Sequence, residues 1–210
     1  ADDNVPHDGT KQLLEMIGEE YPCYYVSGNH EYWSNEISTI KEMIRSCRVI
    51  ILEGDTEIIE INGQLLRVCG VDDLDGFQPE YAEPGVEMPK RWYDQLKACD
   101  SQTGDDIYTV LLSHRPEKVA DYNECGFDLI LCGHAHGGQV RIPGILNGLY
   151  APNQGFFPEY AGGRYELKNS VMIVSRGLVK ANIPRIFNPP ELVIVDVEPM
   201  EQKEADGVLE

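Results

Sequence analysis

Three apolar runs in this chain each end on a histidine motif, and that pairing limits the folds that can hold them. CYYVS at 23–27 leads into GNHE at 28–31, IYTVLLS at 107–113 into His114, and FDLILC at 127–132 into GHAH at 133–136. Short runs this rich in branched and aromatic residues read as buried strands. His30, His114, His134 and His136 are four of the chain's five histidines. Neutral imidazole is the commonest protein metal ligand and a ready acid or base. Strands that deliver such side chains from their C-terminal ends describe a site carried by a sheet.

The charge balance narrows the chemistry. Among 210 residues, Asp and Glu number 36 and Lys and Arg 17, a formal net of −19. Such a surface repels nucleic-acid phosphates and anionic lipid headgroups, which argues against both as bulk partners. Phosphate chemistry at the site would need bound cations to reverse the local potential. The six cysteines (Cys23, Cys47, Cys69, Cys99, Cys125, Cys132) are scattered without a C-x-x-C pair, and the expectation is reduced thiols in an intracellular setting. The sequence holds no signal-peptide pattern or transmembrane run, and it opens on a polar ADDNVPHDG stretch without an initiator Met.

The periodicity predicts a helix over 10–20 and another from a Ser34 or Asn35 cap to about Cys47, with Ile37, Ile40, Met43 and Ile44 on one face. RVIIL, TEIIEI and QLLRVCGV read as strands, the last two joined by an Asn62-Gly63 hairpin. Residues 72–88 read as an acidic loop, followed by a helix near 89–98, strand 107–113, helix 116–124 and strand 127–132. A loop-rich stretch spans 137–163, and strands at 170–177 and 191–198 close a single domain, 1–198, before a polar tail, 199–210. This alternation predicts an α/β architecture with two sheets face to face and helices outside.

Within GHAH, His134 and His136 can share a face on a strand or diverge in a tight turn toward two adjacent metals, with Gly133, Gly137 and Gly138 letting the backbone turn. A Gly-rich surface turn that happens to hold two histidines is the alternative. In GNHE, Asn29 offers a carbonyl oxygen, His30 is free for proton transfer or a phosphate contact, and Glu31 reads as a helix-start or supporting residue. Ser113 and His114 point to opposite faces of a strand, so they do not read as a nucleophile and its base. Asp72, Asp73 and Asp75 lack calcium-loop spacing and read as a solvated loop. Tyr32 and Trp33 read as packing residues or a substrate rim, and Arg176 as a phosphate contact or a structural ion pair.

The joint order of GNHE, a strand-ending histidine and GHAH resembles the calcineurin-like metallophosphoesterase superfamily. GHAHGGQVRIPG at 133–144, SRGL at 175–178 and FNPPEL at 187–192 look closer still to its YkuE/YaeI-like bacterial phosphodiesterase branch. The resemblance implies a four-layer αββα sandwich and two divalent metal ions (Mn, Fe, Zn or Ni), with a metal-bound hydroxide attacking phosphorus. By the same resemblance Asn29, His114 and His134 hold one metal, His136 holds the other, and His30 protonates the leaving oxygen or stabilises the transition state. The implied substrate is a phosphodiester or pyrophosphate, small-molecule or lipid-linked, and the implied location cytoplasmic or membrane-associated at the cell envelope. The upstream family motifs D-x-H and G-D-x-x-D are absent, with Asp2 matching the last Asp of the second and Asp3 the fallback. The expectation is therefore a chain lacking the first β-α-β portion, with weak metal binding, little catalysis and an exposed apolar sheet edge, and with membrane association only through the missing segment. The alternative is a non-catalytic metal-binding scaffold used for partner contacts.

Overall fold

A computed structural model describes residues 8–78, 92–100, 105–178 and 184–198. Its centre is a six-stranded sheet in the order β3-β4-β5-β6-β10-β9: β3 Thr56–Ile61, β4 Gln64–Gly70, β5 Tyr108–Leu112, β6 Leu129–Cys132, β9 Gly163–Glu166 and β10 Val171–Val174. β4, β5, β6 and β10 run parallel, and β3 and β9 close the two edges antiparallel. The β3–β4 turn is the predicted two-residue hairpin. Ile61 faces Gln64 across it, and Asn62 and Gly63 both take the left-handed φ that such a turn needs (53° and 79°).

A second, parallel pair, β1 Cys23–Tyr25 and β2 Val49–Ile51, lies against this sheet. The two layers meet at Gly70, where a Cβ would stand 2.5 Å from Val26 Cγ1 and 2.8 Å from Leu52 Cβ. Gly70→Ala is therefore expected to force these layers apart at a cost of about 1–3 kcal/mol, read as a lower Tm. Helices α1 Asp8–Glu20 and α3 Ile37–Ser46 cover the small pair through Leu14, Ile40, Ile44 and Cys47. Trp92, Leu96 and Cys99 of α4 Trp92–Asp100, with Tyr122 of α5 Val119–Tyr122, join Cys69, Leu111, Ile130 and Met172 in the larger core. Helix, sheet, sheet, helix is thus the layer order, an α/β sandwich of the expected type. All six cysteines are free thiols, five of them buried. Among the described residues no helix is long and apolar enough to cross a membrane.

Three boundaries differ from expectation. The short helix α2 Asn29–Trp33 ends where Asn35 turns left-handed (φ 58°), so α3 starts only at Ile37, with Glu36 before it. The predicted 116–124 helix is a Pro116-started 3-10 turn followed by the four-residue α5. Residues 191–198 are not a strand: they pair with no strand among the described residues, and Leu192 and Ile194 are about four-fifths exposed. A strand without a neighbour has nothing to receive its backbone bonds. Asp2, Asp3 and the 199–210 tail lie outside the described residues.

Candidate metal centre

The C-terminal ends of four parallel strands are laced together by backbone hydrogen bonds. Val71 N donates to Leu112 O (3.1 Å), Ser113 N to Leu131 O (3.0 Å), Gly133 N to His114 O (3.3 Å) and Ser175 N to Cys132 O (2.8 Å). The residues that follow these rungs are Asp72 and Asp73, His114 and Arg115, His134, and Arg176. From the other layer, β1 and β2 Val49–Ile51 bring Asn29 to the same place, buried at the start of α2.

Three electron-pair donors converge there. Asn29 Oδ1 lies 3.0 Å from His114 Nε2 and 3.2 Å from His134 Nδ1, and the two ring nitrogens are 3.2 Å apart. With ligand bonds of about 2.1 Å, adjacent ligands of an octahedral ion stand about 3.0 Å apart, so the triangle fits one face of a divalent-cation shell. Burial pushes the His114 imidazole well below its usual range. Burial, then the Arg115 charge, pushes His134 down to about 4. Both rings are neutral near pH 7, as metal ligands must be. His134 Nε2 sits 2.8 Å from Asn153 Oδ1, an acceptor. That acceptor is closer to Nε2 than the Arg115 Nη1 donor at 3.2 Å, and the tautomer with its proton on Nε2 leaves the Nδ1 lone pair facing Asn29 and His114. Among the described residues no group of three His, Cys, Asp or Glu side chains forms a metal site, because the third donor here is an amide oxygen.

The depressed His134 value has a testable sign. An unfolded histidine takes its proton near pH 6.5, the folded one only near 4. Its contribution to stability is complete above pH 6.5 and is lost as pH falls toward 4. In chelator, Tm is expected to decline across that window, followed by circular dichroism.

The GHAH segment turns sharply. His134, His136, Gly137, Gly138 and Gln139 all have left-handed φ, between 49° and 65°. At Gly137 this is obligatory, because a Cβ would stand 2.2 Å from Asn188 Oδ1. The turn sends His136 away from His134, toward Arg185, whose Nη2 lies 3.4 Å from His136 Nδ1. Burial, and then the Arg185 charge, lowers the His136 pKa. His30 is exposed on α2, its ring 5.0 Å from that of Trp33, and its charge bears on both His114 and His136. Glu31 acts at the helix start, where its Oε2 accepts from Gly28 N at 2.8 Å. Ser113 Oγ bonds to Tyr122 OH at 2.8 Å, away from His114.

The acidic cluster is a correction. Asp72 and Asp73 are not solvated; both are buried. Asp72 accepts from Ser27 Oγ (2.6 Å) and pairs with Lys41 Nζ (3.1 Å). Asp73 holds Arg115 through two bonds, at 2.6 Å from Nε and 2.5 Å from Nη2. Asp75 accepts from the Trp33 indole N–H at 2.8 Å and pairs with Arg115 at 3.1 Å. Buried carboxylates survive when paired in this way. Arg115 Nη1 in turn donates to Asn153 Oδ1 (2.7 Å) and lies 3.2 Å from His134 Nε2. A chain of contacts from Asp73 through Arg115 to Asn153 thus fixes His134. Sequence reasoning missed Arg115, Asp73 and Asn153 as supports. The first two follow strand ends, as His114 does, which was a usable signal; Asn153 lies in a loop without any. Arg176 is ion-paired to Glu191 and neighbours Arg185, one residue removed from His136.

A parallel α/β sheet thus gathers neutral nitrogen and oxygen donors at its strand ends, the kinds of group that can hold a divalent ion. Residues 1–138 match the calcineurin-like phosphoesterase family, and the chain belongs to that family. Members generally use divalent metal ions. Relatives include an "Uncharacterized metallophosphoesterase" of Aquifex aeolicus, 31% identical over 91% of this chain and 66% of its own length. YkuE of Bacillus subtilis, also named an "Uncharacterized metallophosphoesterase", is 22% identical over 90% of this chain and 60% of its own. A "Transmembrane protein with metallophosphoesterase domain" of Bos taurus is 29% identical over 82% of this chain and 37% of its own. The chain thus spans two thirds or less of the length of these curated relatives. No solved structure matches it.

Proposed function

We propose that the protein hydrolyses a phosphodiester or pyrophosphate bond, in a small-molecule or lipid-linked substrate, at a centre of two divalent cations. The observation that carries this reading is the triangle of Asn29 Oδ1, His114 Nε2 and His134 Nδ1, with sides of 3.0–3.2 Å. These three residues would hold one cation and His136 the other, with Asp2 proposed as a further catalytic carboxylate. Bound there, the cations supply Lewis acidity and a water nucleophile at neutral pH. The chain's own part is positioning and proton transfer. Asn153, itself held by Arg115, holds the His134 ring, Gly28 leaves room for His114, and His30 would donate a proton to the departing oxygen. At Gly28 a Cβ would stand 3.0 Å from His114 Nε2.

Hydrolysis of bis(p-nitrophenyl) phosphate with added Mn²⁺ tests the reading. The expected result is slow turnover stimulated by Mn²⁺ and abolished by chelator. His134→Ala is expected to reduce it by more than the about 10–100-fold that losing an outer partner costs. Turnover indifferent to chelator, or surviving His134→Ala, defeats the proposal.

A further inference from the structure

Asn29 and His134 are buried and His114 and His136 half-buried, whereas His30 stands exposed on α2. An exposed side chain changes rotamer within nanoseconds. A proton donor counts only while it stays within reach of its target and in line with it. The one ring contact of His30 among the described residues is Trp33, with ring centroids 5.0 Å apart and planes inclined by 46°. Residues three apart are neighbours on a helix. Asn29 and Tyr32 are the buried residues of α2, which leaves its outer face to His30 and Trp33. The indole is itself moored. It is half-exposed, so water is available to its N–H, yet Nε1 donates to Asp75 Oδ2 at 2.8 Å. A charge-assisted bond of this kind fixes a direction. Asp75 is held in turn: its Oδ1 lies 3.1 Å from Arg115 Nη2, and its backbone N donates to Asp73 Oδ1 at 2.9 Å. The 3-10 turn Leu74–Phe77 that carries it presses on α2, since a Cβ at Gly76 would stand 2.4 Å from the Tyr32 ring. Arg115 Nη1 donates to Asn153 Oδ1, in the turn between β7 Tyr150–Ala151 and β8 Gly155–Phe156, and that oxygen sits against His134. The Trp33 indole and the His134 ring are thus fixed in one frame.

We propose that Trp33 is a positioning residue for His30: its indole, tied to Asp75, holds the imidazole toward the departing oxygen. The aromatic ring removes the freedom of His30 to swing into solvent. It does so without competing for the proton, because an indole has only a donor, and here that donor is spent on Asp75. The tie through Asp75 and Arg115 keeps the orientation in register with His134, a proposed cation ligand carried by the other layer. The inference rests on the proposed acid role of His30 and adds to it what keeps the ring in place.

Two leaving groups, compared with Mn²⁺ present, test it. Glycerophosphocholine loses an alkoxide, which needs a proton; bis(p-nitrophenyl) phosphate loses a phenolate, which does not. Trp33→Leu is expected to lower kcat on glycerophosphocholine by about 10–100-fold, the scale of losing an outer partner of a site, with KM within about twofold of the parent. On bis(p-nitrophenyl) phosphate its kcat should stay within about threefold. Trp33→Phe keeps a ring but has no N–H for Asp75, and its loss should be intermediate. A general loosening of α2 would disturb Asn29 and slow both substrates alike, and that result overturns the inference. So does either variant working as fast as the parent on glycerophosphocholine. His30→Ala, run alongside, separates the two claims. Dependence on the leaving group in His30→Ala but not in Trp33→Leu overturns the inference alone. Its absence in His30→Ala removes the acid role and the inference with it. Nuclear magnetic resonance in chelator gives a readout free of turnover. Overhauser contacts between the His30 ring protons and the Trp33 indole are expected in the parent protein, and their absence overturns the inference.

Discussion

Replacing Arg115 by Met is expected to destabilise the protein by about 3–5 kcal/mol, because it strands a carboxylate inside the fold. Asp73 has no solvent exposure and receives two hydrogen bonds from this guanidinium. Burial already raises the Asp73 pKa, and Arg115 is the main influence holding it down. Methionine matches the volume of the Arg115 stem but supplies no donors, so Asp73 must protonate or pull water inward. The cost is read as a lower urea midpoint at neutral pH. Adding Asp73→Asn should recover a large part of it, since removing both charges is cheaper than leaving one. A double-mutant cycle then isolates the coupling. A loss below about 1 kcal/mol for Arg115→Met would mean that the pair is solvent-relaxed and does not hold the site.

The second large effect concerns His30 and is catalytic. His30→Ala is expected to lower kcat by about 10²–10⁴-fold on a phosphodiester with an alkyl leaving group. On bis(p-nitrophenyl) phosphate the loss should be far smaller, because p-nitrophenolate leaves without a proton. Stability should hardly change, since the His30 ring is exposed and its one ring contact among the described residues is with the half-exposed Trp33. Equal losses on both substrates would remove the acid role and leave His30 as a phosphate contact.

Much of the architecture is legible in the sequence because hydrophobic period and turn chemistry are local. The strands before Gly28, His114 and Gly133 and the Asn62-Gly63 hairpin need only neighbouring residues to specify them. The mixed α/β class follows from that alternation, whereas the αββα layering is implied by the family resemblance. Burial of charge is not local. Asp72 and Asp73 read as a solvated loop because nothing within several residues offsets them; their partners, Lys41 and Arg115, are about 30 and 40 positions away. The 191–198 segment fails in the opposite direction. Its alternating branched residues satisfy every local rule for a strand, yet pairing depends on a neighbour that the segment itself cannot supply. At the candidate metal centre the donor residues stood out by their motifs, whereas Asn153, which lies 2.8 Å from His134 Nε2, came from a loop whose composition points only to turns.

The rungs that join Val71 to Leu112, Ser113 to Leu131, Gly133 to His114 and Ser175 to Cys132 have a kinetic consequence. The loops after β4, β5, β6 and β10, two of which carry His114 and His134, are each pinned to a neighbour one step beyond the regular sheet, so they belong to the same cooperative unit as the strands. Their amide protons should then exchange with solvent only through openings on the scale of the whole sheet, as slowly as those of β5 and β6. A cation arriving at the proposed ligands His114 and His134 would meet loops already in place, and its rate of capture would be set by dehydration of the ion rather than by rearrangement of those loops.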